Sequence, residues 1–309
     1  MIASPRRVLL VFVDGIGLGR PGAQNPFDGA PVEVLAPLGD PSRASAAGVV
    51  VGALDACLAH PGLPQSATGQ ATIFTGVNGA LVDGGHRSGY PTRALGEMIL
   101  QRSVFAEARA RGRKAGFLNA FDADRAARFA RIAAGLEPRP KVRPPSASTL
   151  AALAGNGALR TLEDVERGAA ATFDLTGEVC RALGITAPLR TVRQAAEAVA
   201  RGAAELDLSY FEIFTTDKAG HAQDMTWARL EIVKTERFLQ DLLAAIDPRE
   251  QLVVVTSDHG NLEDLSTRSH TLARVPLLAY GKDAGAFVDG AETLLDVAPR
   301  LLDHAVRGP

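Results

Sequence analysis

The sequence is poor in cysteine, has no dominant sign of charge and lacks any long apolar run, and each shortage narrows what the chain can be. Its two cysteines, Cys57 and Cys180, stand far apart without CxxC spacing, which excludes a disulfide framework and a thiolate metal cage. Lys and Arg total 33 against 35 Asp and Glu. No broad electrostatic footprint therefore asks for nucleic acid or an anionic membrane as partner, whereas a small anionic ligand needs only a local patch. No apolar stretch approaches the roughly 20 residues that span a bilayer. Arg6 and Arg7 precede an apolar run, as in an export signal, but the run at 8–13 stops at Asp14-Gly15. A first core strand explains it better, and a cytoplasmic protein is the expectation.

What is present is enough apolar residue, 46% of 309, to bury a sizeable core. The run at 8–13 is continuous rather than alternating, the pattern of a strand buried on both faces of a parallel sheet. Helix-then-strand units follow: a helix over 94–111 closed by Gly112 before a strand at 115–119, a helix over 192–205 before 210–215, and a helix over 227–246 before 252–256. A further apolar strand is expected at 275–280. The repeated order predicts an α/β fold, a doubly wound and mostly parallel sheet. Between 121 and 190 the rhythm breaks, with Pro138, Pro140, Pro144 and Pro145 clustered among Ala- and Gly-rich segments. The expected organisation is a core of 1–120 and 191–309 with an inserted cap at 121–190.

In such sheets the ligand site lies beyond the carboxyl ends of the strands. Asp14 follows the first strand, Asp217 follows the strand at 210–215 with His221 four residues on, and Asp258-His259 follows the strand at 252–256. His270 precedes the last strand. Residues four apart share a helix face, so Asp217 and His221 can bind one cation together. Mixed Asp and His ligands suit zinc, manganese or ions of similar hardness. Six such ligands suffice for two ions, the arrangement that clamps both oxygens of an in-line phosphoryl displacement. Three strand ends plus His270, in a chain with only six His, outweigh the bland reading of each as a cap or turn. His60 and His304 are left as structural residues.

The segment Pro64-Gln-Ser66-Ala-Thr68-Gly69-Gln70 is a small-residue turn running into a helix. A hydroxyl there lies near backbone N–H groups that favour a docked phosphate. Ser66 and Thr68 both qualify as nucleophile. Asn25 and Arg87, in Gly-rich loops beside the Asp14 and Ser66 segments, are candidate phosphate donors, with His86 a candidate proton donor. Arg139, Lys141 and Arg143 in the insertion could reach a second acidic group on the substrate.

These motifs, Val-Asp14-Gly, Ser66-x-x-Gly69, Asp217-x-x-x-His221, Thr-Ser-Asp258-His259-Gly260-Asn261 and His270-Thr-x-x-x-Val-Pro276, resemble the alkaline phosphatase superfamily. Within it they are most similar to the branch of cofactor-independent phosphoglycerate mutase and phosphopentomutase. The resemblance spans about 1–120 and 190–305. It implies one metal on Asp14, Ser66, Asp258 and His259, a second on Asp217, His221 and His270, with manganese or zinc expected and magnesium allowed. It also picks Ser66 over Thr68, because the family nucleophile lies three residues before the glycine. The implied chemistry is attack of Ser66 on a small phosphorylated metabolite, a phosphoserine intermediate, then transfer to water or back to substrate, as a phosphatase or a phosphomutase. The alternatives are a metal-binding structural or regulatory protein without catalysis, or a phosphodiesterase. Where the mutases usually carry His after the glycine, this chain has Gln70.

Overall fold

The run at 8–13 forms a strand because large and β-branched apolar side chains suit a pleated surface covered on both sides. In the computed structural model, which describes residues 6–141 and 143–306, every residue of that run is at most 1% exposed. The strands are β1 (Arg7–Val13), β2 (Val49–Leu54), β3 (Ala115–Phe117), β4 (Ala120–Phe121), β5 (Arg160–Thr161), β6 (Leu208–Ile213), β7 (Gln251–Thr256) and β8 (Val275–Gly281). Six of them make one sheet in the order β2-β8-β7-β1-β6-β3, and β4 pairs with β5 separately. β1 runs parallel to β6 and β7, and β3 parallel to β6, while β8 is antiparallel to both β7 and β2. The expected doubly wound, mostly parallel α/β sheet is what forms.

Alternation along β1 divides the core. Val8, Leu10 and Phe12 enter one layer with helices Ser66–Thr75, Val104–Ala110, Ala147–Leu153 and Val297–Val306. Leu9, Val11 and Val13 enter the other with helices Val192–Ala204 and Met225–Ala245. Each buried aliphatic or aromatic side chain contributes about 1.5–3 kcal/mol, so Leu10→Ala in the middle of β1 costs about 2–5 kcal/mol.

Three local expectations need correction. The helix expected over 94–111 is two, Arg93–Arg102 and Val104–Ala110. Ser103 between them takes extended ψ, accepts from Phe105 N and donates 2.8 Å to Ala151 O, and a serine so placed caps rather than propagates a helix. The strand expected at 210–215 is displaced to Leu208–Ile213, since Thr215 already opens helix Thr215–Ala222. β2 was not foreseen: its residues are only half covered at this edge of the sheet. The segment 121–190 is also less detached than a free-standing cap. Ala147, Leu150 and Ala151 are buried with Phe74 and Phe105 in one layer, and Ala171 and Leu175 with Leu118 and Val199 in the other. Only Phe129, Ile132 and Leu153, with neighbours, make a small cluster of their own. No helix among the described residues is long and apolar enough to cross a membrane.

Candidate metal centre

Parallel strands β1, β6 and β7 deliver three acids to one end of the sheet: Asp14 directly after β1, Asp217 in the first turn of Thr215–Ala222 after β6, and Asp258 after β7. Close backbone approach brings them together. Gly15 has φ +70°, and a Cβ there would lie 2.7 Å from Asp217 Oδ1. A Cβ on Gly69 would lie 2.8 Å from Asp258 Cβ, so this glycine lets helix Ser66–Thr75 pack onto the Asp258 loop. The glycines of Val-Asp14-Gly and Ser66-x-x-Gly69 are thereby explained by contact.

All the expected ligands converge. His259 Nε2 lies 3.0 Å from Ser66 Oγ and 3.5 Å from both Asp14 Oδ1 and Asp258 Oδ1. His221 Nε2 is 3.3 Å from Asp217 Oδ2 and 3.3 Å from His270 Nε2, which is 3.8 Å from Asp217 Oδ1. The rings of His259 and His270 stack at 3.6 Å and join the two halves. The other nitrogens orient the rings: His221 Nδ1 lies 2.7 Å from Arg268 O, and His270 Nδ1 lies 2.8 Å from Pro64 O. A carbonyl can only accept, so each Nδ1 carries the proton and each Nε2 turns a lone pair to the acids.

The electrostatics call for a cation. Burial pushes the Asp258 carboxyl up to about 7, with Asp217 adding to the shift, and burial together with Asp258 raises Asp14 as well. Among the described residues, Asp14, Asp217 and Asp258 have ion-pair contacts with histidines alone. Burial, then His270, drives His259 down to about 3, so its imidazole is neutral and can ligate. Asp14 Oδ1 is buried without a hydrogen-bond partner. Two groups have atoms close enough to share an ion, Asp217 with His221 and His270, and Asp14 with Asp217 and His259. The donor set fits two divalent ions, with Asp217 between them.

Several residues escaped the sequence reading. Gln70 donates 3.2 Å to Asp258 Oδ2, and Asn261 donates 2.7 Å to Asp217 Oδ1, so each holds an acid from outside. Glu263 is 4% exposed and accepts from Gly17 N at 2.9 Å, Asn261 N at 2.8 Å and the Thr271 hydroxyl, tying together the loops after β1 and β7 and before β8. Asn261 stood in a quoted motif. Glu263, two residues further, had only its charge in an otherwise buried stretch to signal it.

The phosphate-binding expectations fare differently. Asn25 is 3% exposed, donates to Arg20 O and Leu38 O at 3.1 and 3.2 Å, and accepts from Phe27 N at 2.9 Å. Its amide staples its own loop and has no donor left for an anion. Arg87 lies beside the Ser66 helix through its backbone, but its guanidinium binds Asp83 at 2.8 Å. His86 packs edge-on against His60, with centroids 5.5 Å apart. Arg139 donates to Thr92 O and Pro145 O, bracing the insertion rather than facing a substrate, and Lys141 is exposed. A cavity of about 460 Å³ contains Asp14, Ser66, Gln70 and Asp217 in its wall, and Arg143 joins them there, whereas Arg87 and His86 do not. Thr68, the other nucleophile candidate, is fully buried, donates to Gln65 O and accepts from Arg87 N, which leaves Ser66 as the hydroxyl facing the cavity.

Comparison with known proteins agrees with the motif resemblance. Residues 177–306 match the family described as the Metalloenzyme superfamily. A stretch of 106 residues is 33% identical to 2,3-bisphosphoglycerate-independent phosphoglycerate mutase of Hydrogenovibrio crunogenus, covering 32% of this chain and 20% of that protein. Another of 86 residues is 33% identical to phosphopentomutase of Methylobacterium radiotolerans, covering 28% and 21%. The chain therefore matches about a fifth of the length of these relatives. Among solved structures, the PH0037 protein from Pyrococcus horikoshii superposes with a TM-score of 0.59 at 17% identity, covering 100% of this chain and 99% of that one. Alkaline phosphatase from the Antarctic bacterium TAB5 gives 0.54 at 14%, covering 99% of each. The fold is shared with alkaline phosphatase, and the C-terminal metal-ligand motifs lie within the matched superfamily segment.

Proposed function

We propose that this chain transfers the phosphoryl group of a phosphomonoester through Ser66, using two divalent ions. One ion would sit on Asp14, Ser66, Asp258 and His259 and the other on Asp217, His221 and His270, with Asp217 close enough to touch both. Zinc or manganese suits this donor set, and magnesium is allowed. When bound, the ions supply charge neutralisation for the nucleophile and the phosphoryl oxygens. The observation that carries the reading is the placement of Ser66. Its Oγ opens helix Ser66–Thr75 and faces the cavity 3.0 Å from Nε2 of a buried, neutral His259. The positive end of that helix's dipole favours a docked phosphate, and attack from Oγ gives a phosphoserine. Residues of 121–190, including Phe121, Phe129 and Phe173, wall the cavity. Such a wall limits water and favours return of the phosphoryl group to a retained alcohol, which is how one core serves a mutase or a phosphatase.

Ser66→Ala tests the reading. Turnover of phosphomonoesters should fall roughly 10³-fold or more, while elemental analysis still finds bound metal, and wild-type protein quenched with labelled substrate should carry acid-stable label on Ser66. Full turnover in the variant would exclude Ser66 as nucleophile.

A further inference from the structure

Beyond the ligand cluster, the cavity is walled by phenylalanine. Phe121, Phe129, Phe173 and Phe214 line it, four of the 12 in the chain. Phe121 and Phe129 meet edge to face with centroids 6.1 Å apart, and Phe173 and Phe214 stack at 4.1 Å with planes 16° apart. Phe214 stands three residues before Asp217, and Phe173 comes from the insertion, so the stacked pair spans from cap to metal helix. Four of the polar groups beside these rings are already engaged. Asn119 exchanges both amide bonds with the Glu212 backbone at 2.7 Å, and Glu212 accepts the Tyr210 hydroxyl at 2.8 Å. Ser146 caps helix Ala147–Leu153, and Asp122 caps helix Ala123–Ala133.

A glycerate or pentose body carries a hydroxyl on nearly every carbon. Each must exchange water for a protein partner, or its burial costs about 1–3 kcal/mol. Phenylalanine offers no partner, whereas a flat ring gains from stacking and from burial. We infer that the alcohol half of the substrate bears an aromatic or comparably flat apolar ring, seated against Phe173 and Phe214 while its phosphate reaches Ser66. This rests on the phosphoryl-transfer reading and narrows it from small polyhydroxy esters to ring-bearing phosphomonoesters. The charge of the wall agrees: Lys218 Nζ lies 4.8 Å from the Phe214 centroid and 5.5 Å from that of Phe173. Of the three cations in the cavity wall, Arg125 lies 3.6 Å from Asp122, whereas no carboxylate among the described residues pairs with Lys218 or Arg143, which leaves those two for a phosphate dianion. The volume of about 460 Å³ also lies in the range of sites that enclose a ring-sized ligand.

The test uses metal-loaded enzyme and two phosphonates, whose P–C bond cannot be hydrolysed: 2-phenylethylphosphonate and propylphosphonate. Calorimetry should find the ring ligand bound roughly 10–100-fold tighter. Phe173→Ala should bring that ratio close to one and Phe173→Leu should keep part of it, with metal content showing that both variants remain folded. Equal affinities in the wild type, a ratio unmoved by Phe173→Ala, or no binding of either ligand would overturn the inference. Turnover is read separately with 2-phenylethyl and propyl phosphates, whose alcohols are of similar acidity. Tight ring binding without turnover of either ester would keep the subsite and sink the phosphoryl-transfer reading.

Discussion

The two halves of the ligand cluster are built to the same chemistry but exposed to different degrees. Around Ser66 the side chains of Asp258 and His259 are both 0% exposed, whereas His221 is 43% exposed and Asp217 16%. The dry half lies where strand ends meet a helix start, and there Asp258 and His259 are fully desolvated while Asp14 keeps 12% exposure. The open half stands on a single helix, Thr215–Ala222, with His270 reaching in from a loop. A dry half suits bond making, since fewer waters compete with a nucleophile there. An open half suits exchange, since an ion or product on it can be met by solvent.

The largest expected effect breaks the symmetry of the pair. His259→Ala removes the group that touches Ser66 Oγ, Asp14 and Asp258 together, and no solvent is at hand to replace it. Turnover should fall roughly 10³-fold or more and excess metal should not restore it. His221→Ala opens a position that water can fill, so its loss of metal affinity, at least roughly 10–100-fold, should be recovered at high metal concentration. Activity against metal concentration for the two variants checks this, and rescue of both alike would show that the halves are not different.

The same contrast explains what could be read from the chain beforehand. Asp14, Asp217 and Asp258 were legible because each directly follows a buried apolar run or opens the helix after it, and strand ends in parallel sheets point one way. His221 followed from helical spacing. Asn25 was misread because a Gly-rich loop can serve an anion or fold on itself, and only the structure shows its amide bound to Arg20, Phe27 and Leu38. Glu263 was missed because a carboxylate that accepts only backbone N–H and a hydroxyl has no partner residue in sequence to announce it. The insertion showed its breakers but not that Ala147–Leu153 packs against the Ser66 helix, since short Ala-rich segments carry little periodicity.

A middle-sized effect sharpens the comparison from outside the ligands. Gln70 holds Asp258 through one bond of 3.2 Å in the dry half and, among the described residues, hydrogen-bonds no ligand of the open half. Gln70→Ala leaves the carboxylate free to turn, and loss of such an outer partner weakens binding roughly 10–100-fold. Metal titration should then show two classes of ion, with only the one in the dry half weakened. Gln70→His, which places the residue usual in the mutases, keeps a donor and should cost less. Equal weakening of both ions by Gln70→Ala would mean that the halves bind as one unit.

The smallest effect appears when the ions are stripped with chelator, and its sign follows from the buried half. The Asp258 carboxyl sits at about 7 against an ordinary 3.8, and Asp14 is raised too, both by burial first. Groups raised on folding contribute stability that is complete below their ordinary value, near 4, and is lost as pH climbs through the raised value, which is about 7 for Asp258. His259 is lowered from 6.5 to about 3, again by burial first. Its contribution is complete above 6.5 and is lost as pH falls toward 3, so it opposes the two acids. The two acids outweigh the single imidazole, so between about pH 4 and 6.5 these three groups make the folded, metal-free protein less stable as pH rises. With ions bound the trend should reverse, because metal competes with protons for the same carboxylates. Thermal melts in chelator should therefore give a higher Tm at pH 5 than at pH 7, Asp258→Asn should flatten the difference, and His221→Ala should leave it in place. If His221→Ala flattened it as fully as Asp258→Asn, the charge burden would be spread across both halves and the division between a dry half and an open one would fail.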